Sequence, residues 1–211
     1  MNIQIKKIKS LPDIVGIVSD SHGQTSVLEK AIYYLKQKGC KIIIHLGDIC
    51  DSSIIKTADD CISLVQKNEI IAIRGNNDHS MSISKAPGIS QPTIDFIKNL
   101  PLAIQTQQFI FTHSLPFVKE LGLSCMIQNM NENHMQMFFN DNSISKLLFK
   151  GHSHNPELVI KNDRGFLRKK LDFPNQIFLK DKCIINCGAV MDNHCAIFYP
   201  NQLLFEGMVI K

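Results

Sequence analysis

Residues 14–48 read IVGIVSDSHGQTSVLEKAIYYLKQKGCKIIIHLGD. The fold class turns on this stretch. Ile14–Ser19 is a strand-length apolar run. Thr25–Lys38 carries Val27, Leu28, Ala31, Ile32 and Leu35 at helical spacing and is stopped by Gly39. Lys41–Leu46 is a second apolar run. Strand, helix and strand in that order predict parallel strands joined by a right-handed crossover.

The rhythm continues outward. Ser53–Lys67 is amphipathic through Ile54, Ile55, Ala58, Cys61, Ile62 and Val65, and Glu69–Arg74 is a third apolar run. A short helix is expected over Pro92–Asn99, ended by Pro101. Strand-length runs then dominate, at Leu102–Gln105, Phe109–His113, Leu147–Lys150, Leu158–Lys161, Phe166–Leu171, Cys183–Asn186, Cys195–Tyr199 and Leu203–Ile210. Turn signals such as N-D-R-G and Y-P-N-Q punctuate them. A Met- and Asn-rich stretch at 116–145 interrupts the series, with methionines whose spacing hints at a packed helix. The chain therefore reads as one α/β domain, 1–211, with a helical insertion around 116–145.

Composition narrows the function classes. At 211 residues and 44% hydrophobic content, the chain can bury one sizeable core. The N-terminus M-N-I-Q-I-K-K-I-K-S has neither a long apolar stretch nor a cleavage pattern, so neither a membrane span nor a signal peptide is expected. Seven cysteines without a C-x-x-C pair suit reduced thiols in a cytoplasmic protein; Cys183 and Cys187 lie too far apart along a strand for one disulfide. The net charge is +4, but all except three of the 23 basic residues are dispersed lysines. Only K-K-I-K near the start and R-K-K at 168–170 cluster, so no nucleic-acid domain is evident.

In open α/β sheets, ligands sit beyond the carboxyl ends of the strands. Five apolar runs here end in similar punctuation: V-S-D-S-H-G (Asp20, His22), H-L-G-D (Asp48), R-G-N-N-D (Asn76), F-T-H-S (His113) and F-K-G-H-S-H (His152, His154). Each alone reads as a loop or cap residue, and the N-N-D cluster alone reads as a turn. Together they bring two Asp, one Asn and four His to one rim. Carboxylates, imidazoles and an amide oxygen without thiolate suit Mn, Fe, Ni or Zn at five or six coordination. Seven such groups fit two ions that share a carboxylate.

These blocks resemble the calcineurin-like metallophosphoesterase superfamily, whose signature runs D-x-H, G-D, G-N-x-[ED], H and G-H-x-H. All five occur in order across residues 20–154, and I-I-N-C-G-A-V at 184–190 resembles the N-P-G-S-V of its small bacterial and archaeal phosphodiesterase (YfcE-like) branch. The resemblance implies a four-layer α/β/β/α sandwich and two divalent ions, manganese first, with nickel, iron, zinc or magnesium as alternatives. It implies that Asp20, His22, Asp48 and His154 hold one ion. Asp48, Asn76, His113 and His152 hold the other, with Asp48 as the bridge. By the same resemblance, a hydroxide held by the two ions would be the group that attacks phosphorus.

Asn77, Asp78 and His79 are the further catalytic candidates, with His45 and Arg74 supporting the ligands from behind. Many superfamily phosphatases carry G-N-H-[ED], whose His protonates the leaving oxygen; here Asn77 stands in its place and cannot act as a general acid. Asp78 is expected to brace its loop, and His79 reads as an exposed loop residue or a substitute acid. His134 and His194 match no block and read as structural. The expected activity is hydrolysis of a small phosphoester, a diester before a monoester or nucleotide. A non-catalytic scaffold is the alternative class, and a homo-oligomer is compatible with the sequence.

Overall fold

A computed structural model describes residues 5–83, 88–141 and 146–211. The chain begins with β1 (Ile5–Lys7), β2 (Val15–Val18), α1 (Thr25–Gln37) and β3 (Ile42–His45). A 3-10 turn at Ile55–Thr57 leads into α2 (Ala58–Lys67), followed by β4 (Ile71–Ala72), α3 (Asn76–Ile83) and α4 (Gln91–Asn99). Then come β5 (Ala103–Gln105), β6 (Phe109–Thr112), α5 (Val118–Leu121), a 3-10 segment at Gly122–Met126, and α6 (Glu132–Asn140). The remainder is strand: β7 (Leu147–Lys150), β8 (Glu157–Asn162), β9 (Gly165–Lys170), β10 (Asn175–Phe178), β11 (Cys183–Asn186), β12 (His194–Tyr199) and β13 (Leu204–Val209).

The strands form two sheets, ordered β10-β13-β12-β2-β3-β4 and β1-β5-β6-β7-β11-β8-β9. The βαβ reading of residues 14–48 holds, since β2, β3 and β4 are parallel neighbours with Val15 opposite Ile42 and Ile44 opposite Ile71. Alternation along each strand builds the layers. Val15, Ile17 and Ile44 of the first sheet join Phe111, Phe149 and Ile185 of the second in one cluster between the sheets. Val18 and Ile43 face the other way, onto α1 and α2, with Leu28, Leu35, Cys61 and Ile62. Ile110, Leu148 and Ile184 face the outer side of the second sheet, packed with Met126, Met135 and Phe138 of the 116–145 segment. The result is an α/β/β/α sandwich, with that segment as its outer layer.

Gly16 lets α1 approach closely: an added Cβ would lie 3.0 Å from Leu35 Cδ1. Gly39 ends α1 at φ +84°, while Cys40 N–H bonds back to Leu35 O at 3.1 Å. All seven cysteines are free and buried.

Four elements differ from the sequence reading. Asn76 opens an α-helix rather than a turn, because the Asp78 carboxylate inside its first turn receives the Gly75 and Cys50 N–H groups, at 3.0 Å each. β1 and β10 are additional strands, short and largely exposed, without the apolar run that marks a buried strand. The Glu69–Arg74 run narrows to the two residues of β4, with Glu69 at φ +54°. The last residues of the 116–145 segment, 142–145, lie outside the described residues.

Candidate metal centre

The carboxyl ends of β2, β3, β4, β6 and β7 meet on one rim, and all seven residues expected there converge. His22 Nε2 lies 3.1 Å from His154 Nε2, 3.9 Å from Asp20 Oδ1 and 3.7 Å from Asp48 Oδ2. His154 Nε2 is 3.5 Å from Asp20 Oδ1. On the other side, His113 Nε2 is 3.4 Å from Asp48 Oδ2 and 3.0 Å from Asn76 Oδ1. His152 Nδ1 is 3.1 Å from both Asn76 Oδ1 and His113 Nε2. Two groups of potential ligand atoms each fall within 4.8 Å: Asp20, His22, His154 and Asp20, Asp48, His113. Asp48 Oδ2 stands between the two histidine pairs.

Close packing of the loops explains the glycine before Asp48, Asn76 and His152. A Cβ on Gly47 would lie 2.7 Å from Gly75 N and 2.9 Å from His113 Nδ1. One on Gly75 would overlap Asp48, and one on Gly151 would overlap Ser19 and Asp20. The ligand residues themselves are twisted. Asp20, His22, Asp48, His152 and His154 all have positive φ, between 45° and 70°. Left-handed backbone at five non-glycine positions is strain that the packed rim must hold in place.

Each imidazole is also held from behind. His113 Nδ1 lies 2.9 Å from Leu46 O and donates to it, which turns Nε2 toward the cluster, where a cation would displace its proton. His22 Nδ1 lies 3.1 Å from Asp51 Oδ2. His45 is buried and outside the ligand cluster. Its Nδ1 accepts from Gly47 N at 3.2 Å, so Nε2 donates to Ser21 Oγ at 2.7 Å. Asn186 donates to Gly151 O at 2.8 Å and Ser153 Oγ at 2.7 Å, fixing the G-H-S-H loop. Asp51 and Ser21 escaped the sequence reading because only tertiary packing brings them to the histidines.

The further candidates divide. Asn77 bonds Asp48 twice, N–H to Oδ1 at 2.8 Å and Nδ2 to Oδ2 at 2.9 Å. Asp78 is fully buried, with both oxygens accepting backbone N–H groups. His79 is not an exposed loop residue: it sits half-buried on α3, and its Nδ1 has no partner among the described residues. Arg74 is buried with its backbone bonded to Pro101 O at 2.9 Å, and its Nε and Nη1 lack partners among the described residues. His134 closes a capping box with Asn131 on α6, and His194 packs against Phe173.

Charge is concentrated here. Burial pushes the Asp20 and Asp48 carboxyls up, but His154 and His113 beside Asp20, and His113 and Asn77 beside Asp48, outweigh it and hold both below the usual range. Burial opposes charge on His113, yet Asp48 and Asp20 raise it to about 9. Burial lowers His152 and His45 to about 4, and burial with Asp48 nearby raises Asp78 to about 7. A proton on His113 thus balances buried carboxylates. The donor set of two carboxylates, four imidazoles and an amide oxygen fits hard-to-borderline divalent cations, which would take over that balancing role.

Such a rim, at the ends of two facing sheets, is that of a metal-dependent hydrolase of phosphoesters. The chain belongs to the calcineurin-like phosphoesterase superfamily, whose domain profile matches residues 14–195. An uncharacterised protein of Methanocaldococcus jannaschii, MJ0912, is 25% identical over 215 residues, covering 92% of this chain and 82% of its own. Among solved structures, a metallophosphoesterase from Sphaerobacter thermophilus superposes with a TM-score of 0.76 at 19% identity, covering 94% of this chain and 88% of its own. An archaeal phosphodiesterase shares the fold with a TM-score of 0.55 at 15% identity, covering 93% and 99%. No helix among the described residues is long and apolar enough to cross a membrane.

Proposed function

We propose that the chain is a phosphodiesterase acting on a small phosphoester with two divalent ions, manganese first, in a cytoplasmic setting that suits its seven free thiols. Asp20, His22, Asp48 and His154 hold one ion, and Asp48, Asn76, His113 and His152 the other. The ions supply Lewis acidity, lowering the pKa of water and neutralising charge on the phosphoryl oxygens. The protein fixes the donors. Leu46 O and Asp51 orient His113 and His22, and Gly47, Gly75 and Gly151 let the loops close.

The observation that carries the diester reading is Asn77. It follows the ligand Asn76, where G-N-H-[ED] phosphatases place a proton donor, and both its amides are spent on Asp48. An amide there cannot protonate a departing oxygen, so acidic leaving groups are favoured. The small phosphodiesterase branch that the sequence resembles commonly lacks this histidine too, which is what points to a diester. The similarity of fold to an archaeal phosphodiesterase supports the same reading.

The test compares bis(p-nitrophenyl) phosphate with p-nitrophenyl phosphate in manganese. A higher kcat/KM for the diester, lost on chelation and in Asp48→Asn, is expected. Preference for the monoester overturns the diester assignment. Metal uptake without turnover of either favours a scaffold.

A further inference from the structure

A cavity of about 260 Å³ opens on the outer face of the second sheet, next to the candidate metal centre. Ser153, between His152 and His154 in sequence, lines it, so the two sites share a loop. Its floor is Lys150 and Asn186, at the ends of neighbouring strands β7 and β11. Its roof is Met130 and Met135 of the 116–145 segment.

On the floor, Lys150 alone has hydrogen-bond donors to spare. Lys150 is 6% exposed, and its one recorded hydrogen bond among the described residues is to Gly151 O, at 2.8 Å. No carboxylate pairs with it among the described residues. Of the acids that act on it, Glu157 lines the cavity but is neutralised there by Arg168, which also lines it and bonds both its oxygens at 2.8 Å each, and Asp20 belongs to the metal cluster. Asn186 has spent both N–H groups on Gly151 O and Ser153 Oγ, and its Oδ1 accepts from Gly188 N at 3.0 Å. The Ser153 hydroxyl accepts from Asn186 and keeps its own hydrogen to give. A buried ammonium with unused N–H groups beside a free hydroxyl calls for an anionic oxygen. The methionines, with Val159 and Ile184, offer apolar walls to an organic body. The volume lies below the usual range for drug-sized ligands, so that body is compact.

We propose that this cavity binds the organic half of the substrate, and that the substrate is a compact phosphoester bearing a second anionic group, a carboxylate or phosphate, that pairs with Lys150. The proposal rests on the phosphodiesterase reading and gives Met130 and Met135 a task, roofing the bound group.

The test uses two p-nitrophenyl phosphodiesters of near-equal size, the second alcohol being propanol or glycolate. Hydrolysis of the propyl ester in manganese tests the phosphodiesterase reading. The ratio of kcat/KM for the glycolate over the propyl ester tests the cavity. About tenfold or more is expected for the native enzyme, falling toward one in Lys150→Met, restored in Lys150→Arg, and reduced in Met135→Trp, which fills the space. If neither ester is turned over, titration calorimetry with the same pair reads the preference as a ratio of Kd, with the same expectations. A native ratio near one, or a preference that survives Lys150→Met in protein that folds as the native chain does, overturns the proposal.

Discussion

Asn77 grips Asp48 at both oxygens, through its backbone N–H to one and its side-chain amide to the other, at 2.8 and 2.9 Å. The residue at the proton donor's usual position therefore positions a carboxylate instead. Rates should depend steeply on leaving-group acidity across a series of aryl phosphodiesters. Asn77→His should flatten that slope, with gains on poor leaving groups of at most about 10²–10⁴-fold. A flat native slope with chemistry rate-limiting would point to an acid elsewhere, with His79 the first to replace.

Metal-free protein should lose stability as pH rises from 7 to 8. His113 has its pKa raised from 6.5 to about 9, so its contribution is fully present below 6.5 and fades as pH climbs through 9. Asp78, raised to about 7, adds the tail of its own loss over the same interval, and Lys150, lowered to about 8, opposes part of the fall as pH approaches 8. The slope is at most about 1.4 kcal/mol per pH unit for one proton. Urea melts at pH 7.0, 7.5 and 8.0 would measure it. Manganese should reverse the trend, because it competes with the His113 proton, and metal-free His113→Gln should be nearly flat.

Asp51→Ala should weaken metal affinity about 10–100-fold while leaving the fold intact. Asp51 reaches His22 Nδ1 at 3.1 Å and orients the ring without joining the cluster. Metal titration by calorimetry, beside an unchanged circular dichroism spectrum, gives the comparison. Unaltered affinity would show that His22 is held by its backbone alone.

Gly75→Ala should abolish metal uptake, although it adds a single methyl group. The new Cβ would collide with the backbone and side chain of Asp48, and neither can retreat without breaking the rim. Metal content after dialysis should fall to background, whereas Gly165→Ala in the β8–β9 turn, strained at φ +119° but with open space around its Cβ position, should keep full metal content in the folded protein.

The layered architecture was legible because apolar alternation and helical spacing mark buried faces directly. Val15, Ile17, Leu28 and Leu35 announce both the strand and the helix that covers it. The ligand set was legible for another reason: Asp20, His22, Asp48, Asn76, His113, His152 and His154 each follow an apolar run, and strand ends share a rim. The start of α3 was not, because Asn and Asp serve turns and helix starts equally well. Asp51, Asn186 and Lys150 were invisible as site residues, since their roles exist only once separate loops touch. His79 reads as exposed in a polar string, and only the helix it joins turns it inward.

The two groups of ligands draw on both sheets. Asp20, His22, Asp48 and Asn76 follow strands of one sheet, and His113, His152 and His154 follow strands of the other. Ions held there would therefore rivet the two halves of the sandwich at a single edge. The full ligand set exists only where residues as distant in sequence as Asp20 and His154 have met, so metal binding would favour the assembled sandwich over any form with the sheets apart. Separating the sheets would then also cost the free energy of metal binding.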